Sequence, residues 1–228
     1  CNIEYNANYK PPANSATTSP FPVNMKLDQI TDSDQYPSLK PVAFPPQDSH
    51  PSDLPFFKGK TIVIFDLETT GLDIRTCEVT QLAALKIVDG VEKETFETFV
   101  RHVYPIPQVV AKLTGITDSL TQNAPFPRNV IIEFAKFTKG ALLVGHNCRA
   151  YDTPIINRLA QENGEPPFDN EQLDTLEQAR IHLPGLPSYA LTKLSQALHI
   201  EHTHAHRADS DVIATWGLLK KIIEAQNK

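Results

Sequence analysis

The run Lys60-Thr-Ile-Val-Ile-Phe-Asp66-Leu-Glu68 constrains the fold of this chain more than any other stretch. β-Branched and aromatic residues crowd positions 61 to 65, as in a strand buried on both faces. Two carboxylates then follow two positions apart. Side chains alternate across a strand, so Asp66 and Glu68 project from one face, about 7 Å apart along the chain. Acids at the solvated end of an edge strand would read the same way in isolation. A buried strand that ends in charge fits better the C-terminal crevice where α/β sheets bind ligands.

Two further segments carry chemistry. Ala141-Leu-Leu-Val-Gly145 is a short apolar strand opening into His146-Asn147-Cys148-Arg149-Ala150-Tyr151-Asp152, with Ile155, Ile156, Leu159 and Ala160 at helical spacing beyond. Asp152 with Pro154 two residues on reads locally as an N-cap followed by a first-turn proline. The third segment, His202-Thr-His204-Ala-His206-Arg207-Ala208-Asp209-Ser210-Asp211, feeds a C-terminal amphipathic helix. His204 with Asp209 and His206 with Asp211 share the spacing His-x4-Asp, and helix geometry sets the two acids about 200° apart, so they cannot face one site. Asp211 shares its stripe with Ala208, Thr215, Leu218 and Leu219, a set suited to packing on a sheet. Asp209 shares a mixed stripe with Ile213, Trp216 and Lys220 and is read as a first-turn acid answering the helix dipole, worth under about 1 kcal/mol. His199, His202, His204 and His206 crowd together, but no Cys lies near and the spacings match no structural zinc motif. A loop with one functional histidine is the expectation.

The two ends of the chain differ in composition. Residues 1 to 57 hold ten of the 19 prolines and none of the nine glycines, and are expected to form a largely irregular tail or linker. Beyond them the pattern predicts strands over 61–67, 79–88 and 92–100, with a turn at Asp89-Gly90, and helical segments on both sides of Pro125. A strand over 141–145, a helix over 152–163 and a short strand ending near Asp174 follow, then helices over 175–182, 188–199 and 207–225. Hairpin strands first and βα units afterwards imply an α/β fold with a mixed five-stranded sheet and helices on both faces. A net charge of −6 and a pI of about 5.7 speak against a processive, basic nucleic-acid clamp. Arg149, Arg158, Lys193 and Arg207 flank the proposed site and could meet phosphates. The sparse cysteines, Cys1, Cys77 and Cys148, suit a reducing cytoplasm, and no apolar run reaches the roughly 18 residues of a membrane span. The start at Cys1 is read as a fragment of a longer protein.

Taken in order, Phe-Asp66-Leu-Glu68-Thr-Thr-Gly-Leu, Gly-His146-Asn147-x3-Asp152 and His206-Arg-Ala-x-x-Asp211-x3-Thr resemble the three motifs of the DEDDh family of 3′–5′ exonucleases, within the RNase H-like superfamily. Leu113-Thr-Gly-Ile-Thr117 and Leu183-Pro-Gly-Leu-Pro-Ser188 are similar to segments common there. The resemblance covers roughly residues 58–228, misses no family acid, and favours His206 over His204 because Arg207-Ala208 follows it. It implies two divalent ions, Mg²⁺ or Mn²⁺, since hard cations prefer carboxylate oxygens. Such ions, about 3.5–4 Å apart, clamp a phosphodiester. By resemblance Asp66 would bridge both ions, Glu68 and Asp211 would complete one, and Asp152 would support the other. His206 would be the general base. Thr69, Thr70, Leu72, His146 and Asn147 would line the pocket for the terminal nucleotide. The implied substrate is a single-stranded nucleic-acid 3′ end, preferably DNA, cut to nucleoside 5′-monophosphates. RNA or short-oligonucleotide trimming, or a non-catalytic 3′-end-binding module, are the alternatives. A fused domain or partner such as a polymerase, helicase or CRISPR spacer-acquisition complex is also implied.

Overall fold

A computed structural model describes residues 42–43 and 54–227, so most of the expected tail lies outside the described residues. The strands are β1 (Val42–Ala43), β2 (Thr61–Thr69), β3 (Val79–Val88), β4 (Val91–Phe99), β5 (Leu142–Gly145) and β6 (Gln172–Asp174). The helices are α1 (Gln108–Thr114), α2 (Asp118–Thr121), α3 (Pro127–Thr138), α4 (Asp152–Glu162), α5 (Thr175–His182), α6 (Leu191–Ala197) and α7 (Ala208–Gln226). The sheet order is β1-β4-β3-β2-β5-β6. β2 pairs antiparallel with β3 and parallel with β5, and β5 pairs parallel with β6. The five strands β2 to β6 form the expected mixed sheet, and β1 adds two residues to its β4 edge, at Thr95 and Glu94.

Alternation along β2 builds two cores. Val63, Phe65 and Leu67 point to one face, where they meet Phe134 and Phe137 of α3 and Ile155, Ile156 and Leu159 of α4. Ile62 and Ile64 point to the other, beneath Ala208, Val212, Trp216, Leu219 and Ile223 of α7. Each large side chain so buried contributes roughly 1.5–3 kcal/mol. Leu218 and Ile222, on another side of α7, pack with Ala179 of α5 and Leu194 of α6. Trp216, assigned from its stripe to a mixed face, is buried because its indole stacks edge-on against Phe57 at 5.1 Å and donates to Glu92 Oε1 at 2.8 Å.

The core therefore reaches slightly ahead of residue 58. Pro55–Phe57 is a 3₁₀ turn with proline at its start, and Phe57 is fully buried. The Asp89-Gly90 turn is as predicted: both residues have positive φ, 53° and 78°, the requirement of a two-residue type I′ hairpin. The helix expected from Ser188 begins only at Leu191, because the Ser188 hydroxyl accepts the Ala190 N–H in a turn that precedes it. Among the described residues no helix is long and apolar enough to cross a membrane.

Candidate active site

Asp66 and Glu68 continue the Ile62/Ile64 face of β2 beyond its apolar part, and α7 lies on that same face. The first turns of α7 consequently bring Asp211 over the two strand acids. One carboxylate oxygen from each of Asp66, Glu68 and Asp211 falls within a common 4.8 Å span. Asp209, as its stripe predicts, turns away and pairs with Arg207 at 3.2 Å.

Asp152 reaches the cluster from α4. It is the first helical residue rather than the cap, a place taken by Tyr151. Its Oδ1 accepts the backbone N–H of Leu67 at 3.2 Å, and the residue is only 4% exposed. The parallel pairing of β2 with β5 runs from Ile62 to Ile64, so Leu67 lies past the ladder and this carboxylate supplies its acceptor.

All four acids are harder to ionise than usual, with burial the largest cause. The Asp66 carboxyl is held well above its ordinary range by desolvation, then by Asp152, Asp211 and Glu68. Glu68 is pushed up to about 8 by burial and by Asp211 and Asp152, with Arg207 opposing. Asp152 and Asp211 are raised too, the latter against the pull of His202 and His206. Like charges packed this closely disfavour one another's ionised forms unless a cation joins them. Oxygen-only donors carrying this uncompensated negative charge fit a hard divalent cation better than zinc.

Three polar residues that periodicity did not single out hold the acids in place. Gln81, opposite Glu68 in the β2–β3 register and fully buried, accepts the Ala208 N–H at 3.3 Å and donates to Glu97 at 2.9 Å. It thereby pins the start of α7 to the sheet. Asp174, 2% exposed, caps α5 through Leu176 N and also accepts from Asn147 N and Arg149 N, which fixes the loop between β5 and α4. His202, nine positions from Asp211, places its Nε2 2.5 Å from Asp211 Oδ1. The sequence pattern weighed His204 and His206 for that neighbourhood and overlooked His202. His204 is exposed, and its N–H donates to Ser210 Oγ. His206 is half-buried with a left-handed backbone, φ 67°, and its backbone N–H hydrogen-bonds the Asp211 carboxylate.

The residues expected around a terminal nucleotide gather at the same end of the sheet. The Thr69 hydroxyl donates to Gly71 O at 2.7 Å and lies 2.6 Å from the Tyr151 hydroxyl, while Thr70 Oγ1 accepts the Glu78 N–H. Both threonines therefore brace the turn after β2, and Leu72 beyond it is 54% exposed. His146 has Nδ1 3.0 Å from Thr175 Oγ1 and Nε2 2.9 Å from Tyr189 O, so both ring nitrogens are engaged within the protein. Burial lowers its pKa. Asn147 is exposed with φ 64°. Gly145 ends β5 where a Cβ would sit 2.6 Å from Cys148 Cβ and 3.2 Å from Phe65 O, so only glycine lets the loop turn back against β2. Of the flanking cations, Arg158 donates to Ile74 O and Cys77 O and pairs with Glu162. Arg149 pairs with Glu177. Both are committed to local structure, as is Arg207, which pairs with Asp209 and Glu97 while its charge also favours ionised Glu68.

An exonuclease family model, RNase_T, matches residues 63–219. The chain is 36% identical over 164 residues to the DNA polymerase III subunit epsilon of Aquifex aeolicus, covering 72% of this chain and 81% of that protein. It is 38% identical over 162 residues to the PolC-type DNA polymerase III of Caldanaerobacter subterraneus subsp. tengcongensis, covering 71% of this chain but 11% of that protein. E. coli exonuclease I in complex with a dT13 oligonucleotide shares the fold, with a TM-score of 0.67 and 23% identity over 74% of this chain and 42% of the enzyme. The chain thus spans about a tenth of the PolC-type polymerase and less than half of exonuclease I. With four acids brought together at the motifs these comparisons cover, the chain belongs to the RNase_T exonuclease family, the DnaQ-like 3′–5′ exonucleases built on an RNase H-like fold.

Proposed function

We propose that this chain is a metal-dependent 3′–5′ exonuclease that removes nucleoside 5′-monophosphates from the 3′ ends of single-stranded nucleic acid, DNA in preference to RNA. The observation that carries this reading is the meeting of Asp66, Glu68 and Asp211 within 4.8 Å, with Asp152 adding its charge from α4. Asp66, Glu68 and Asp211 would hold the cations through their carboxylate oxygens, with Asp152 supporting them from α4. When bound, two Mg²⁺ or Mn²⁺ ions make a water more acidic and offset charge on the departing 3′ oxygen.

The remaining work falls to the chain's own groups. His206 accepts a proton from the attacking water as the bond to phosphorus forms and the bond to the 3′ oxygen breaks. An imidazole suits that task because it titrates near neutral pH. The Thr69-Thr70 turn, held by Tyr151 and Glu78, is a rigid floor for the last nucleotide, and exposed Leu72 supplies an apolar surface for its base. Asn147 faces solvent in the loop after β5, and His146 steadies that loop. Residues 58–228, with Phe57 packed against them, would form the catalytic domain, and residues before them a tail.

Net charge −6 implies weak intrinsic grip on nucleic acid. That supports delivery of the substrate by a fused domain or partner protein, as does the presence of such a domain within PolC-type polymerases. The test is a time course of 5′-labelled single-stranded DNA and RNA of matched sequence, with Mg²⁺, Mn²⁺ or EDTA. A metal-dependent ladder shortening from the 3′ end, faster on DNA, is expected. Faster loss of RNA would reassign the substrate, and no loss of either would leave a binding module.

A further inference from the structure

We propose that His202 is a positioning residue for Asp211, donating from Nε2 to Oδ1 and so holding the other carboxylate oxygen toward Asp66 and Glu68. The contact is 2.5 Å, and the His202 side chain is 5% exposed. To hold a cation Asp211 must be ionised, and an ionised carboxylate only accepts, so in that state Nε2 carries the hydrogen. Nδ1 is buried without a hydrogen-bond partner among the described residues, so the ring's one polar engagement here is Asp211.

The loop is built to keep the ring there. Ile200 ahead of it lies on α7 at Gly217, where a Cβ would come within 2.5 Å of Ile200 Cγ2, and the Ile200 N–H donates to Ser195 O at 2.8 Å. Behind it the His204 N–H donates to Ser210 Oγ at 3.1 Å. His199 and His206, both with left-handed backbones, bracket the segment. His202 is thus anchored on both sides to the helix that carries Asp211. A carboxylate whose second oxygen must meet a cation gains from such a donor, because its plane is set before the cation arrives. Hydrogen-bonding partners of metal ligands characteristically affect metal affinity by about 10- to 100-fold.

This inference rests on the metal-nuclease reading, and the test separates the two. Mn²⁺ is titrated calorimetrically into the full chain, wild type, His202→Leu and His202→Gln. Leucine removes the donor, whereas the glutamine amide places one at a similar reach. His202→Leu should bind Mn²⁺ about 10- to 100-fold more weakly, and His202→Gln should stay near wild type. Half-maximal nuclease rate should require correspondingly more Mn²⁺ in the leucine variant, with excess Mn²⁺ restoring most of it. Equal losses in both variants, or none in the leucine variant, would overturn the role of His202. If the leucine protein does not fold, His202→Ala takes its place as the donor-less variant: binding weakened about tenfold or more there, with glutamine near wild type, supports the role, and no loss in alanine, or equal losses in both, ends it. Wild type that binds no Mn²⁺ would overturn the metal reading itself and this role with it.

Discussion

The backbone N–H of Leu67 donates to the Asp152 carboxylate across 85 positions of sequence, at 3.2 Å. This bond ties the strand bearing Asp66 and Glu68 to the first turn of α4, and it makes Asp152 structural and electrostatic at once.

Asparagine and alanine at position 152 should separate those two contributions. Asp152→Asn keeps an acceptor for Leu67 and removes a charge whose ionisation burial opposes. Asp152→Ala leaves a buried N–H unpaired, which costs about 1–3 kcal/mol. In EDTA, urea unfolding should therefore find the asparagine variant more stable than the alanine variant by that amount. Both should lose exonuclease activity, because neither offers an anionic oxygen. Equal stabilities would show that the Leu67 bond contributes nothing.

Without metal, stability should fall as pH rises from about 4.5 to 8. The site carboxyls have folded-state pKa values above their unfolded values, Glu68 at about 8. The folded chain consequently holds more protons than the unfolded chain in this window, and the slope of stability with pH is negative. Divalent metal binds the deprotonated set, so the melting temperature gained from Mn²⁺ should be larger at pH 8 than at pH 5. Glu68→Gln should flatten the metal-free slope. An unchanged slope would place the titration elsewhere.

His206→Ala should lose more activity than His204→Ala, by roughly 10²–10⁴-fold against little change, as expected for loss of a general base. Turnover at saturating Mn²⁺ measures this. The opposite order would assign the base to His204.

Gly145→Ala should be disruptive although it adds one methyl. Its Cβ would lie 2.6 Å from Cys148 Cβ and 3.2 Å from the Phe65 carbonyl. Neither can retreat without moving the backbone beside Asp66, so a loss of about 1–3 kcal/mol is expected, with reduced activity. Thermal unfolding and a turnover assay check it. A wild-type melting temperature would mean the loop yields freely.

Much of this was legible in the sequence where geometry is periodic. The two-residue spacing of Asp66 and Glu68 set their shared face, and Ala208 and Leu219 of the stripe read with Asp211 do pack on the sheet, although Leu218 packs against α5 and α6 instead and Trp216 of the Asp209 stripe joins the sheet-facing side. What escaped was non-periodic or long-range. Asp152 looks locally like a cap, because its partner Leu67 is far away in sequence. Gln81 and Asp174 are ordinary residues until the fold buries them beside orphaned N–H groups. His202 lies in a loop bounded by left-handed residues, where no repeat tells which ring points inward. Phe57 escaped because a proline-rich context masked a single apolar anchor.

The central claim, that the acids at the end of β2 run a metal-dependent exonuclease, is tested most directly by Asp66→Ala beside wild type on 5′-labelled single-stranded DNA with Mn²⁺. The account predicts a 3′-shortening ladder for wild type, abolished by EDTA and absent in a variant whose circular dichroism matches wild type. Near-wild-type shortening by folded Asp66→Ala would contradict it.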